Sequence, residues 1–249
     1  MQGVTRVVQV IEYLGTHGSA SIEDVADELG VHKSSASRLL ATLRKLGWVS
    51  SNDARTSYTL GHRLIGIGQA AVPDIGMEQA LATAAALREL TGETVHLSVP
   101  DTVRHQMLVI ARVDSKSPLR VTQPVGSLDP LHSTAVGKVY LASLADDVLD
   151  DMIGSLPLDQ FAPSTITTTA QLRAEIDRVR AQGFAINAGE SRMGITAAAV
   201  LLRLAGERST PVALSITGPA TRWSPARIAE TMPEVLDVVG PFLVRLGSA

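Results

Sequence analysis

The sequence predicts an α+β chain in two parts: a small head of three helices and a hairpin, and a larger body in which strands and helices mix. Three observations carry this. Apolar residues recur at the helical period in three short segments before residue 47. Two short β-prone runs, 48–50 and 57–60, then flank the turn-forming stretch SNDART. Beyond residue 92 the pattern changes to strand-like runs interleaved with helical ones.

In the head, Val4, Val7, Val8, Ile11 and Leu14 form one apolar stripe on a first helix that ends near Gly15–Gly18. Ser21 opens S-I-E-D, a capping-box-like start, and Ile22, Val25, Ala26 and Leu29 face one way before Gly30 stops the second helix. A third helix follows at once, with Ala36, Leu39, Leu40, Leu43 and Leu46 on one side and Gly47 at its end. Three short helices, a tight glycine-containing turn and a hairpin make a winged helix-turn-helix over residues 1–62. Residues 63–74 read as a linker helix closed by Pro73, and 75–249 as the body. The body is expected to hold a helix from about 74 to 90, strands at 94–99, 106–113 and 119–122, and helices at 134–143 and 170–182. Strands at 184–187, 195–204 and 212–217 follow, then a last helix capped by Ser224 that runs on to Leu246.

Composition narrows the function classes. An apolar fraction of 45% with 19% charged residues fits a folded chain. The absence of cysteine excludes disulfides, thiolate metal sites and a cysteine nucleophile, and fits a reducing cytoplasm. Glu12 interrupts spaced apolar residues at the start, so no signal peptide is expected, and no run reaches the roughly 18–20 apolar residues of a membrane helix. The net charge of −3 argues against general polyanion binding. The charges are nevertheless segregated. Residues 22–30 carry Glu23, Asp24, Asp27 and Glu28 with no base, whereas 31–46 carry Lys33, Arg38, Arg44 and Lys45 with no acid. A local basic stripe on a near-neutral head is an electrostatic footprint for phosphates.

That stripe is the polar face of the third helix. Lys33, Ser34, Ser35, Ser37 and Arg38 supply short hydroxyl donors and long cations near a helix N-terminus, as base and phosphate contacts in a major groove require. Arg44, Lys45 and, in the wing, Arg55 are assigned to the DNA backbone. An ordinary solvated face is the alternative, and the capped helix before it and the hairpin after it weigh against that. Arg6 and Arg63 read as surface charges. The body shows no G-x-S-x-G, no H-E-x-x-H and no phosphate loop, and Gly189–Gly194 lacks the lysine such a loop needs. No catalytic residue, metal ligand or cofactor site is therefore assigned. The six histidines are scattered, and His132 reads as a structural hydrogen-bonder. In LHSTAVGKVYLASL, residues 131–144, a helix start places free N–H groups beside a loop, which suits a carboxylate; on the residues alone a plain helix cap is the better explanation.

The stretches ASIEDVADELGVHKSSASRLLATLRKLGWVS, YTLGHRL, PLHSTAVGKVYLASL, RVRAQGFA, GESRMGITAAAV and SITGP together resemble the IclR family of bacterial transcription regulators over nearly the whole chain. The resemblance implies a GAF-like effector domain with a curved antiparallel sheet. It also implies homodimers through the DNA-binding half, dimers of dimers in some members, an operator duplex as partner, and a small organic-acid effector. By position, the effector-binding residues fall at Ala135, Val136, Asn187, Ala197, Ser215 and Thr217. Asn187 stands where relatives often have Asp, and Ala197 where they often have a polar residue. These departures imply a less acidic, more apolar pocket floor and an aromatic acid or amide as effector. The competing readings are an enzyme fused to a helix-turn-helix and a DNA-binding protein without effector.

Overall fold

The computed structural model describes residues 2–70, 76–206 and 209–247. The chain separates into two compact units, Met1–Val72 and Pro73–Ala249.

The first unit holds α1 (Gln2–His17), α2 (Ile22–Leu29), α3 (Lys33–Lys45), β1 (Val49–Ser51), β2 (Tyr58–Leu60) and α4 (Arg63–Gln69). Its core is Val10, Leu14, Val25, Ala26, Ala36, Leu40, Leu43, Val49 and Tyr58. The capping box forms: Ser21 Oγ accepts from Asp24 N and the Asp24 carboxylate accepts from Ser21 N. Gly30 ends α2 in the left-handed region at φ 59°. Ala20 and Tyr58 exchange backbone hydrogen bonds, which ties the chain before α2 to the hairpin. The expected α1 stripe is corrected in part. Val10 and Leu14 are buried, but Val4 is 73% and Val8 47% exposed, because α2 and β2 cover only one side of the helix. The expected linker helix is observed as α4; its end at Pro73 lies outside the described residues, as does the expected start of the next helix at Asp74.

The second unit contains α5 (Met77–Thr91), β3 (Thr94–Asp101), β4 (Gln106–Val113), β5 (Leu128–Pro130), α6 (Ala135–Ala142), α7 (Asp146–Ser155) and α8 (Thr169–Gln182). They are followed by β6 (Ala185–Ala188), β7 (Ile195–Leu202), β8 (Val212–Pro219) and α9 (Pro225–Val239). The strands make one curled antiparallel sheet in the order β5-β4-β3-β8-β7-β6. A bulge between Leu97 and Ser98 bends β3. Side chains alternate across the sheet. Val95, Leu97, Ala198, Val200, Leu202, Val212, Leu214 and Ile216 pack on one face with α5 and α9. Met107, Ala197, Ala199, Leu201 and Ala213 pack on the other with α6, α7 and α8.

Three expectations for this unit are corrected. Residues 119–122 are not a strand; the edge position is taken by β5, and 119–123 lies between Pro118 and Pro124, where missing N–H donors break a ladder. α7 was not anticipated, because D-D-V-L-D-D-M-I-G-S buries only Leu149 and Ile153. The last helix stops at Val239 rather than reaching Leu246. Pro241 turns Gly240–Phe242 into a 3₁₀ turn, after which Leu243 bridges to Leu202 beside the sheet.

Candidate functional site

Two surfaces carry chemistry, one in each unit. In the first, α3 packs Ala36, Leu40 and Leu43 inward and turns Ser34, Arg38, Ala41, Thr42 and Lys45 outward. Lys33, Ser34 and Arg38 are exposed, Ser35 and Ser37 are half-buried, and Arg44 and Lys45 are exposed at the far end. His32 precedes the helix without a side-chain cap, so the first amides remain open to an anion. Lys33 is held by Glu23 in a solvated ion pair, a contact worth little that a phosphate could replace. The wing tip is organised by Asn52. Its Oδ1 accepts from Thr56 N at 2.9 Å and Ser57 N at 3.2 Å, and its Nδ2 donates to Thr56 Oγ1 at 2.9 Å. This loop holds Arg55 in the left-handed region at φ 55°, with its side chain exposed. A non-glycine residue there costs roughly 1–2 kcal/mol, which the Asn52 bonds offset. Arg44 shares a shallow groove with His62 and Arg63, so Arg63 lies beside a residue assigned to DNA.

In the second unit the structure brings Ala135, Val136, Asn187, Ala197, Ser215 and Thr217 around one cavity of about 310 Å³. It opens on the sheet face that also carries His96. The close approach that builds one wall is made by Gly137, where a Cβ would lie 2.4 Å from Leu131 Cα. Thr134 caps α6 by accepting from Gly137 N at 3.2 Å and donates to Pro130 O at 2.7 Å. The N–H groups of Ala135 and Val136, in the first turn, have no intrahelical acceptor. Ser215 and Thr217 hydroxyls lie 3.0 Å apart. Asn187 is occupied locally, donating to Ser191 Oγ at 2.7 Å and accepting from Glu190 N at 2.8 Å.

Sequence reasoning missed several lining residues: His96, Gln123, Asp129, Phe161 and Arg192. The signal for His96 was available, since Thr94, His96 and Ser98 alternate as a polar set along β3. Asp129 sits in the three-residue strand β5 and Arg192 in the turn between β6 and β7, both too short for a periodicity to be read. Asp129 also puts an acid in a cavity whose floor is expected to be less acidic than in relatives. Burial raises its carboxyl pKa, against the opposing hydrogen bond from Gln123 Nε2 at 2.7 Å. His132 is buried, hydrogen-bonds Asp159 O through Nε2 at 3.0 Å and stacks on Phe161, a structural role.

Burial, reinforced by the nearby Arg112 guanidinium, pulls the His96 imidazole down from 6.5 to about 4. The neutral ring accepts from Gln123 N through Nε2 at 3.1 Å, so its proton sits on Nδ1. The unfolded chain therefore binds the extra proton between pH 6.5 and about 4. The stability this group contributes is complete above that window and is lost as pH falls through it, a loss of about 3 kcal/mol. Urea melts of the wild type and His96→Gln from pH 7 down to pH 4 should show their difference shrinking; a constant difference would rule this out.

Behind the cavity wall, Lys138 is 1% exposed and pairs with Glu190 at 2.8 Å and Glu175 at 3.0 Å. Burial raises the Glu190 carboxyl pKa, and the Lys138 charge opposes that rise.

The family model for the "IclR helix-turn-helix domain" matches residues 3–53, and that for "Bacterial transcriptional regulator IclR C-terminal" matches residues 74–240. The chain belongs to the IclR family. Among curated IclR-family relatives, "Transcriptional repressor IclR" of Escherichia coli is 26% identical over 237 residues, covering 92% of this chain and 84% of its own. A transcriptional regulator of Rhodococcus sp. RHA1 superposes with a TM-score of 0.77 at 26% identity, covering 97% of this chain and 96% of that one. An IclR homologue from Microbacterium hydrocarbonoxydans, solved with 4-hydroxybenzoate, gives a TM-score of 0.80 at 19% identity over 96% and 98% of the two chains. As an IclR-family member the chain is a DNA-binding transcription regulator with an effector-binding C-terminal domain. No described helix is long and apolar enough to cross a membrane.

Proposed function

We propose that this regulator is a repressor-type dimer whose operator affinity is set by an aromatic carboxylate bound in the cavity of the second unit. The observation that carries the reading is the α6 start. Ala135 and Val136, whose amides have no intrahelical acceptor, line a cavity together with apolar Ala197, Ile195 and Phe161 and the Ser215–Thr217 hydroxyls. That combination suits an anionic head on a flat apolar body. A volume near 310 Å³ corresponds to about ten water molecules, too roomy for a three-carbon keto acid and suited to a substituted ring. The 4-hydroxybenzoate carried by the Microbacterium relative supports this class.

In this reading Lys33, Ser34, Ser35, Ser37 and Arg38 meet bases and phosphates, and Arg44, Lys45 and Arg55 meet the backbone. The solvent-facing apolar residues Val4 (73%), Val8 (47%), Ile65 (62%) and Ile67 (47%) of α1 and α4 support a dimer through the first unit. Dimers of dimers fit the same family pattern. The protein acts in the cytoplasm, where its DNA is, and performs no catalysis on its ligand.

A gel shift with the DNA flanking its own gene tests the reading. Arg38→Ala should weaken binding at least tenfold, since a base or phosphate contact by arginine is worth about 1–3 kcal/mol. Unchanged affinity would reject the assigned helix face. In the same assay 4-hydroxybenzoate should shift the wild-type binding curve and pyruvate should not; the reverse order would reject the effector class.

A further inference from the structure

We propose that Arg192 is the charge-selecting residue of the cavity, its guanidinium holding the anionic end of the ligand, and that the buried Lys138–Glu190 pair holds the loop that presents it. The inference rests on the effector-pocket reading above and adds which side chain decides between an acid and its neutral analogue.

The charge inventory of the lining points to Arg192. Among the described lining residues it is the one fixed cation, Asp129 is the one acid, and His96 is neutral. Lys138, on α6, is close by, but Glu190 and Glu175 neutralise it, so it offers the cavity no free charge. Arg192 is exposed and has no ion pair or hydrogen bond from its side chain among the described residues. By contrast, Arg173, Arg180 and Arg222 are each held by carboxylates.

The loop that carries Arg192 is built rather than loose. Glu190 N donates to Asn187 Oδ1 at 2.8 Å, and Thr165 Oγ1 donates to Glu190 O at 2.6 Å. Ser164 Oγ donates to Gly189 O at 3.0 Å. Gly189 and Gly194 bound the segment in left-handed conformations at φ 81° and 79°. The Glu190 side chain then runs inward to Lys138 Nζ. Lys138 belongs to the same helix whose first turn supplies the Ala135 and Val136 amides. One ion pair thus joins the two elements that present positive potential to the cavity: the α6 start and the arginine loop. An anionic head between them gains a charge-assisted hydrogen bond that a neutral amide does not.

The test uses calorimetry on the full chain with 4-hydroxybenzoate and 4-hydroxybenzamide. The wild type should prefer the acid. Arg192→Gln should weaken acid binding about tenfold or more and leave amide binding unchanged, and Arg192→Lys should recover part of the acid preference. Glu190→Gln should lower the acid preference in the same direction while the chain stays folded by circular dichroism. Equal losses for acid and amide in Arg192→Gln, or no loss for the acid, would overturn the proposal. So would a wild type that binds the two equally. If acid binding survives Arg192→Gln and still shifts the operator curve, the effector-pocket reading stands and only Arg192 falls. If the wild type binds neither probe, both fall.

Discussion

Gly137→Ala is expected to destabilise the second unit by about 3 kcal/mol or more, lowering the melting temperature by roughly 10 °C. The reason is space, not backbone conformation. A Cβ at Gly137 would stand 2.4 Å from both the Cα and the carbonyl oxygen of Leu131, and backbone atoms cannot swing aside as a side-chain tip can. Leu131 is buried and follows β5, while Gly137 lies in the first turn of α6. The added methyl must therefore push the helix start away from the end of the sheet. The same displacement moves the Ala135 and Val136 amides, so ligand binding should fall even at temperatures where the variant is folded. Thermal melts with and without 4-hydroxybenzoate measure both effects; a melting temperature within 2 °C of wild type would show that the wall yields.

Lys138→Met should cost about 3–5 kcal/mol at neutral pH, the usual penalty for leaving buried charge without its partner. The ammonium is enclosed, and its loss leaves Glu190 and Glu175 facing each other at the site it occupied. Glu190 is already short of partners, since its Oε2 is buried without a hydrogen bond among the described residues. Its raised pKa gives the result a pH signature. As pH falls through that raised value Glu190 takes up a proton, and the penalty for losing Lys138 should shrink. The double variant Lys138→Met/Glu190→Gln should recover much of the loss, because no uncompensated charge remains on Glu190. Urea melts at neutral and mildly acidic pH check this. A single-variant loss below about 1 kcal/mol, or a double variant no better than the single, would show that water reaches the site.

The head of the protein was legible because its signals are local. A capping box at Ser21, left-handed stops at Gly30 and Gly47, and a period of 3.6 in α2 and α3 each act within one or two turns. The basic face of α3 follows from that same period. The body was legible where strands are long, as in the eight-residue β3, β4, β7 and β8. It failed where elements are short or set by tertiary packing. β5 has three residues and exists because β4 offers an edge; α7 buries only Leu149 and Ile153 and ties its acidic side to Arg173 and Arg180 of α8. Resemblance supplied six cavity positions, and these converge. It did not supply His96, Asp129 or Arg192, because each reaches the cavity from a different element.

By itself the sequence determined the helix-turn-helix, the polarity of its outward face and the alternation of the central strands, since these depend on spacings along the chain. Only the tertiary structure decided the charge balance of the cavity. Lys138, the cation visible in the motif, is cancelled by carboxylates 37 and 52 residues away, while Arg192, inconspicuous in the sequence, lines the cavity without an ion pair among the described residues. Coulombic interactions act through space, so which cation remains available to a ligand is settled by distance and burial rather than by order along the chain.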